Sequence, residues 1–255
     1  MYIVTATNDS YAKHLGVMLH SLLENLIDKT NTNIFIIEAN ISRKNKMKLQ
    51  RIVERHNLQV EFITINDNDY SLFRKVGRFT KEAYYRILIP ELLGRDITKA
   101  IYLDCDLIVR KDISRLWTIN IDDYFLAAAE VLEAKKMKKP LSIPANSIYF
   151  NSGVLLINLQ KWRENNISTQ VIQYIKDNPA KVKLPDQDGL NAILYDKCLK
   201  LDHEWNYTTR TQKKIRIYNP AIVHFTGRKK PWNSDVPFKI EYLKYLNSSL
   251  WEQQI

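Results

Sequence analysis

A chain of 255 residues with 45% hydrophobic side chains can bury one large core, and its excess of 38 basic over 28 acidic residues, a net charge of +10, favours anionic partners such as nucleotides, nucleic acid or acidic lipid. Two cysteines, Cys105 and Cys198, are too few for a disulfide framework and lack the close spacing of a zinc knuckle, which predicts reduced core thiols. No basic and apolar leader stands behind Met1 and no segment reaches the ~18–20 apolar residues of a membrane span, so a soluble, cytoplasmic protein is expected.

"YIVTA" (2–6) reads as a buried strand, and after the polar loop "TNDS" the residues Leu15, Met18, Leu19, Leu22, Leu23 and Leu26 recur at steps of three and four, the inner face of a helix. The unit repeats. "NIFIIEA" (33–39) is a strand, Ser42 is a candidate N-cap, and Met47, Leu49, Ile52 and Val53 line a helix inside a very basic stretch. "LQVEFITI" (58–65) is the third strand. Strands alternating with helices at this spacing predict a right-handed parallel βαβ arrangement, with both sheet faces covered. "KEAYYRILIPELL" (81–93) reads as a helix stopped near Pro90, and "KAIYLD" (99–104) as the next strand. "FLAAAE" (125–130), "GVLLIN" (153–158) and "AIVHF" (221–225) complete the strands, "STQVIQYIKDN" (168–178) is a helix, and "VLEAKKMKKPLSIPANS" (131–147) has no period and is expected to be a mobile loop. Residues 1–237 are taken as one α/β domain, and 238–255 as an amphipathic helical tail.

Chemistry concentrates at "IYLDCDLIVR" (101–110), where Asp104 and Asp106 follow an apolar strand. In an open α/β sheet that is the carboxyl edge, where ligands bind. Along an extended strand the two carboxylates share a face and Cys105 takes the other, an arrangement suited to one hard cation. Oxygen ligands suit Mg²⁺ or Mn²⁺, and an imidazole from His224, at the end of "AIVHF", shifts the preference to Mn²⁺. An acid-x-acid pair alone is weak, and a strand-end turn or an ordinary core histidine explains each piece separately. Further matches stand in order along the chain: "TATNDSY", "YYR", "YFNSGVLLINL" with "KW" after it, "PDQDGLNA" and "HFTGRKKPW".

With these motifs the chain resembles the retaining glycosyltransferases of family 8, such as bacterial lipooligosaccharide galactosyltransferases and glycogenin, over nearly its whole length. The resemblance implies a GT-A fold with a mostly parallel sheet between helices, and transfer of glucose or galactose from a UDP-sugar to a glycan, lipid-linked or protein-linked acceptor. It implies Asp104, Asp106 and His224 as ligands of Mn²⁺ (or Mg²⁺) on the donor diphosphate, and Lys230 and Gly227 beside the phosphates. It likewise implies Arg86 spanning donor sugar and phosphate, and Ala6, Asn8 and Tyr11 cradling uracil and ribose. The family usually has aspartate where Asn8 stands, which predicts weakened selection of the base. Asn151, and Asp186 with Gln187, fall near the donor sugar and its anomeric centre, and Glu130 stands where relatives carry aspartate beside the acceptor. Tyr149 and Trp232 are candidate platforms for sugar rings. No carboxylate is a clear nucleophile and the Gln187 amide is a poor one, so same-face substitution is expected. The charge also suits contact with an anionic inner-membrane face. A haloacid-dehalogenase-like phosphatase is the rival enzyme, but Ile108 stands where those enzymes carry Thr or Val. A basic nucleic-acid-binding module lacks a reader motif and leaves the buried acids unexplained. A chain that keeps the fold without catalysis is opposed by the complete set of metal and phosphate residues.

Overall fold

The computed structural model describes residues 1–65, 81–249 and 251. Strands β1 (Tyr2–Thr7), β2 (Asn33–Glu38) and β3 (Val60–Thr64) are joined by helices α1 (Ala12–Asn25) and α2 (Arg43–Glu54), and β1 pairs on its other side with β4 (Lys99–Leu103), all in parallel. This half follows the sequence pattern. Ile3 and Val4 of β1 face opposite sides, as the pleat requires. Ile3 joins Leu15, Met18, Leu19 and Leu22 of α1 in one core, and Val4 joins Tyr84, Tyr85 and Ile87 in the other. Each of these fully buried aliphatic chains contributes roughly 2 kcal/mol. Ser42 caps α2 by accepting from the Asn45 N–H at 3.3 Å.

The second half is mixed. β7 (Phe150–Asn158) runs antiparallel to both β4 and β6 (Leu126–Glu130), and β8 (Cys198–Leu201) closes the edge parallel to β6, which gives the order β3-β2-β1-β4-β7-β6-β8. β7 starts at Phe150, three residues before the expected strand 153–158, so Asn151 lies within it. "AIVHF" does not join this sheet. Its residues form β10 (Ile222–His224), the centre of a small sheet between β5 (Leu107–Val109) and β9 (Tyr207–Thr208).

Three other expectations are corrected. Residues 81–93 form a 3₁₀ segment, Lys81–Leu88, followed by α3 (Ile89–Leu92), and Pro90 sits in the first turn of α3, where its missing N–H has no helical partner to lose. β4 ends at Leu103, so Asp104, Cys105 and Asp106 are not extended strand but the bend that carries the chain from the large sheet to the small one. After α4 (Ser114–Trp117) and β6, the segment 131–147 folds as α5 (Lys135–Lys138) and a 3₁₀ turn, Lys139–Leu141. Ala134, Leu141 and Ile143 form a small core there with Tyr149, and the Lys138 ammonium donates to the Ala145 and Ser147 carbonyls.

Helices α6 (Leu159–Glu164), α7 (Ile167–Asp177) and α8 (Pro185–Leu194) cover the face that holds Val4. Helix α9 (Lys239–Ser248) packs on α1, burying Tyr242 with Val17 and Phe225, and Trp251 covers Gly16 so closely that a Cβ there would lie 2.6 Å from its ring. Of the tail expected over 238–255, residues 250 and 252–255 lie outside the described residues. No described helix is long and apolar enough to cross a membrane. Both cysteines are free, and burial pushes both thiols up, so they stay protonated.

Candidate active site

The bend 104–106 joins two supports. The Asp104 N–H donates to the Gly153 carbonyl of β7 at 2.8 Å, and the Asp106 carbonyl accepts from the Phe225 N–H beyond β10 at 3.0 Å. Each aspartate is therefore fixed to a different sheet. Their carboxylates nevertheless converge: one ligand atom from each of Asp104, Asp106 and His224 lies within 4.8 Å of the others. The expected common direction holds, through a bend rather than through strand alternation.

Asp104 Oδ1 accepts from Arg86 Nη2 at 2.8 Å and from the Tyr102 hydroxyl at 2.8 Å. The buried Arg86 guanidinium lies over the Tyr102 ring, donates from Nη1 to the Ser152 carbonyl at 2.7 Å, and pairs through Nε with Asp186 Oδ2 at 3.1 Å. Burial would lower the Arg86 pKa, but Asp104 and Asp186 push it up, so the cation is permanent. Asp186, raised by burial and opposed by Arg86, also accepts from the Ser152 hydroxyl at 2.7 Å.

On the other support, Asp106 Oδ1 lies 3.1 Å from His224 Nε2, and Oδ2 accepts from Lys230, whose ammonium also reaches the Phe225 carbonyl. Burial alone would raise the Asp106 carboxyl, but Lys230 and His224 hold it well below the usual carboxylate range. His224 Nδ1 lies 2.9 Å from Asn206 Oδ1, which leaves Nε2 towards the acids, the orientation a metal-ligating imidazole needs. Gly153 completes the cradle: a Cβ there would lie 2.2 Å from His224 Cε1 and 2.5 Å from Asp104 Oδ2. Two carboxylates and an imidazole, given room by Gly153, fit a divalent cation.

From His224 a hydrogen-bond chain runs to α8. Asn206 Nδ2 donates to Asn151 Oδ1 at 2.8 Å, Asn151 Nδ2 to Gln187 Oε1 at 2.8 Å, and Gln187 Nε2 to the Tyr149 hydroxyl at 3.0 Å. Tyr149 in turn donates to Asp188, which accepts from the Lys183 and Leu184 N–H groups. Pro185 at the start of α8 and the acids Asp186 and Asp188 in its first turn suit a helix N-terminus. Tyr149 is fully buried in this chain, which leaves no exposed ring for a sugar platform.

The remaining sequence-selected residues lie around this centre. Ala6 is near the end of β1, and Asn8 Oδ1 accepts from the Ser10 hydroxyl at 2.8 Å and the Tyr11 N–H at 3.2 Å. Tyr11 packs edge-on to Trp232, whose indole stacks on His14 at 3.5 Å. Gly227 has φ +87°, which a side chain resists, and open space where a Cβ would be. Glu130 stands apart from the chain of amides and pairs with Lys200 at 2.6 Å. Ser152, Gly153 and Asn206 acquire their place only through tertiary contact. The first two stood inside a quoted motif, whereas "HEWNY" around Asn206 carried no signal.

A family model described as glycosyl transferase family 8 matches residues 2–236. General stress protein A of Bacillus subtilis (strain 168) is 37% identical, over 98% of this chain and 94% of its own length. A lipopolysaccharide 1,2-glucosyltransferase of Escherichia coli (strain K12) is 25% identical, over 95% and 76%. Among solved structures, the galactosyltransferase LgtC, determined with donor and acceptor sugar analogues, superposes with a TM-score of 0.87 at 26% identity, over 97% of this chain and 96% of that one. The architecture is that of LgtC, the GT-A fold.

Proposed function

The chain belongs to glycosyltransferase family 8, and from that premise we propose that it transfers glucose or galactose from a UDP-sugar, with retention and with Mn²⁺, to a glycan, lipid-linked or protein-linked acceptor. The phosphatase alternative falls with the family match. The observation that carries the reading is the convergence of Asp104, Asp106 and His224 within 4.8 Å, flanked by the cations of Arg86 and Lys230.

In this reading Asp104, Asp106 and His224 hold the metal, which when bound neutralises the diphosphate and stabilises charge on the departing UDP. Lys230, at present on Asp106, is placed to turn to a phosphate oxygen, and Gly227 leaves room for that group. Ala6, Asn8 and Tyr11 form the base side. The Asn8 carbonyl already accepts two hydrogen bonds, so a uracil N3–H has to compete for it, and selection among bases is weak. Arg86 is the positioning residue for Asp104 and Asp186. Glu130 and the folded segment 131–147 border the acceptor side, and Glu130 tunes acceptor choice there.

Gln187 Oε1 accepts from Asn151 Nδ2 and, at 3.3 Å, from the Ser152 N–H, so both of its lone pairs are engaged and it makes a poor nucleophile. Same-face substitution follows. The bond from C1 of the sugar to the β-phosphate oxygen breaks, the acceptor oxygen bonds to C1 on the same face, and its proton passes to the leaving phosphate oxygen. A glycosyl-enzyme adduct trapped by mass spectrometry would count against this route. The glucosyl- and galactosyltransferase relatives support a hexose donor, and the net charge of +10 supports attraction of that donor and contact with an anionic membrane face.

The test is UDP release by the purified chain from UDP-glucose, UDP-galactose and UDP-N-acetylglucosamine, with and without Mn²⁺, beside Asp106→Asn. Metal-dependent release from one hexose donor, reduced at least ~10²-fold in the variant, is expected. Release that ignores both the metal and the substitution sinks the proposal.

A further inference from the structure

A second group of metal-ligating side chains lies about 9–15 Å further along α1 than the ring stack at His14, judged from the helical rise. His20 and Glu24 are one turn apart on α1, and His56 follows the end of α2. One ligand atom from each of the three lies within 4.8 Å of the others, and His56 Nε2 is 3.6 Å from Glu24 Oε1.

The surroundings of His20 are unusual for a packing residue. It is 2% exposed, its Nε2 lies 2.8 Å from the Ser248 hydroxyl of α9, and its Nδ1 is buried with no hydrogen-bond partner. A buried polar atom without a partner costs roughly 1–3 kcal/mol, so a native chain that keeps one invites an explanation. With Nε2 spent on Ser248, Nδ1 is the nitrogen left for an ion, and the hydroxyl on the far side of the ring is the kind of partner that fixes a ligating imidazole. Glu24 is half exposed and offers a route for entry from solvent.

We propose that His20, Glu24 and His56 form a second cation site, specific for a zinc-like ion, that clasps α1 to the end of α2 and, through Ser248, to α9. Two imidazoles and one carboxylate make a nitrogen-rich set with an open fourth position, which suits Zn²⁺. Mg²⁺ and Ca²⁺ take sets of oxygen ligands, which the single carboxylate of Glu24 does not supply. The catalytic cradle, with two carboxylates to one imidazole, is the harder site of the two. The clasp is independent of the donor chemistry.

Zn²⁺ alone is the probe, measured by calorimetry and by metal content after dialysis. The Asp106→Asn chain, whose catalytic cradle is impaired, keeps one Zn²⁺ and melts higher when it is added. His56→Ala or Glu24→Gln in that background weakens binding at least ~10-fold and removes the thermal shift. In the otherwise unaltered chain the same two substitutions lower zinc content by one and leave UDP release unchanged, with circular dichroism checking the fold. Zinc binding that survives both substitutions, or no zinc in the Asp106→Asn chain, overturns the clasp without bearing on the transferase reading.

Discussion

Asp104 and Asp106 stand one residue apart yet belong to different mechanical environments. Asp104 is seated on the large sheet, its carboxylate gripped by Arg86 and Tyr102 and its N–H by β7. Asp106 faces the small sheet, where its partners are His224 and the flexible Lys230. The first environment is a planar fork that cannot shed its charge, and the second is an ammonium on a long stem that can swing away. A site built this way has one anchored carboxylate and one whose counter-ion can be exchanged, which is what the proposed contact of Lys230 with a diphosphate requires.

The largest expected effect separates these two cations. Arg86→Met strands Asp104 and Asp186 without their buried partner and is expected to cost about 3–5 kcal/mol in urea unfolding. Lys230→Met removes one buried ion pair where Arg86→Met removes two, and leaves Asp106 with His224, so its stability loss is expected to be smaller, while UDP binding weakens roughly 10-fold. Equal stability losses would break the contrast.

Gly153→Ala probes the seam between the two supports. Its Cβ has to displace His224 or Asp104, for an expected stability loss of about 1–3 kcal/mol and at least ~10-fold weaker Mn²⁺ binding by calorimetry. Gly227→Ala is the control: it meets no neighbour but holds φ +87°, so it should cost about 1 kcal/mol of backbone strain and leave metal affinity alone.

A further effect, seen only as pH changes, lies at the ring stack beside the small sheet. Burial, helped by Lys13, depresses the His14 pKa from 6.5 to about 4. Because the unfolded chain binds the proton more readily, this group's contribution to stability is present above pH 6.5 and is lost as pH falls towards 4. Between pH 7 and 5 that amounts to about 2 kcal/mol. In urea titrations His14→Gln should flatten the acid slope by that amount. An unchanged slope would show that His20, His56 and His203, whose pKa values burial also lowers, carry it instead.

The same division governs what the sequence disclosed. β1, β2 and β4 and the first two helices were legible because both faces of those strands are buried and the helices carry an apolar stripe, and β3 was legible as an apolar run at the sheet edge. The acid pair and His224 were legible as residues, but not the bend that aims them, because that bend is set by pairings to Gly153 and Phe225 far along the chain. Segment 131–147 was misread as mobile because a core this small leaves no periodicity, and its closing contacts are lysine-to-carbonyl bonds. Asn206 was invisible, and the role of Ser152 unreadable inside its motif, for a related reason: a side chain that orients another is chosen by geometry, and neither asparagine nor serine is rare enough to announce it.

The hydrogen bond between His14 and Tyr242 spans 228 positions, and Trp232 stacks on the same imidazole. During synthesis the N-terminal βαβ unit leaves the ribosome before partners that complete its core, among them Leu103, Leu156 and Trp251, and the wall around His14 stays open until α9 has emerged. Nearly the whole chain must therefore be made before this wall can close, and a nascent fragment that holds only the first half is still without it.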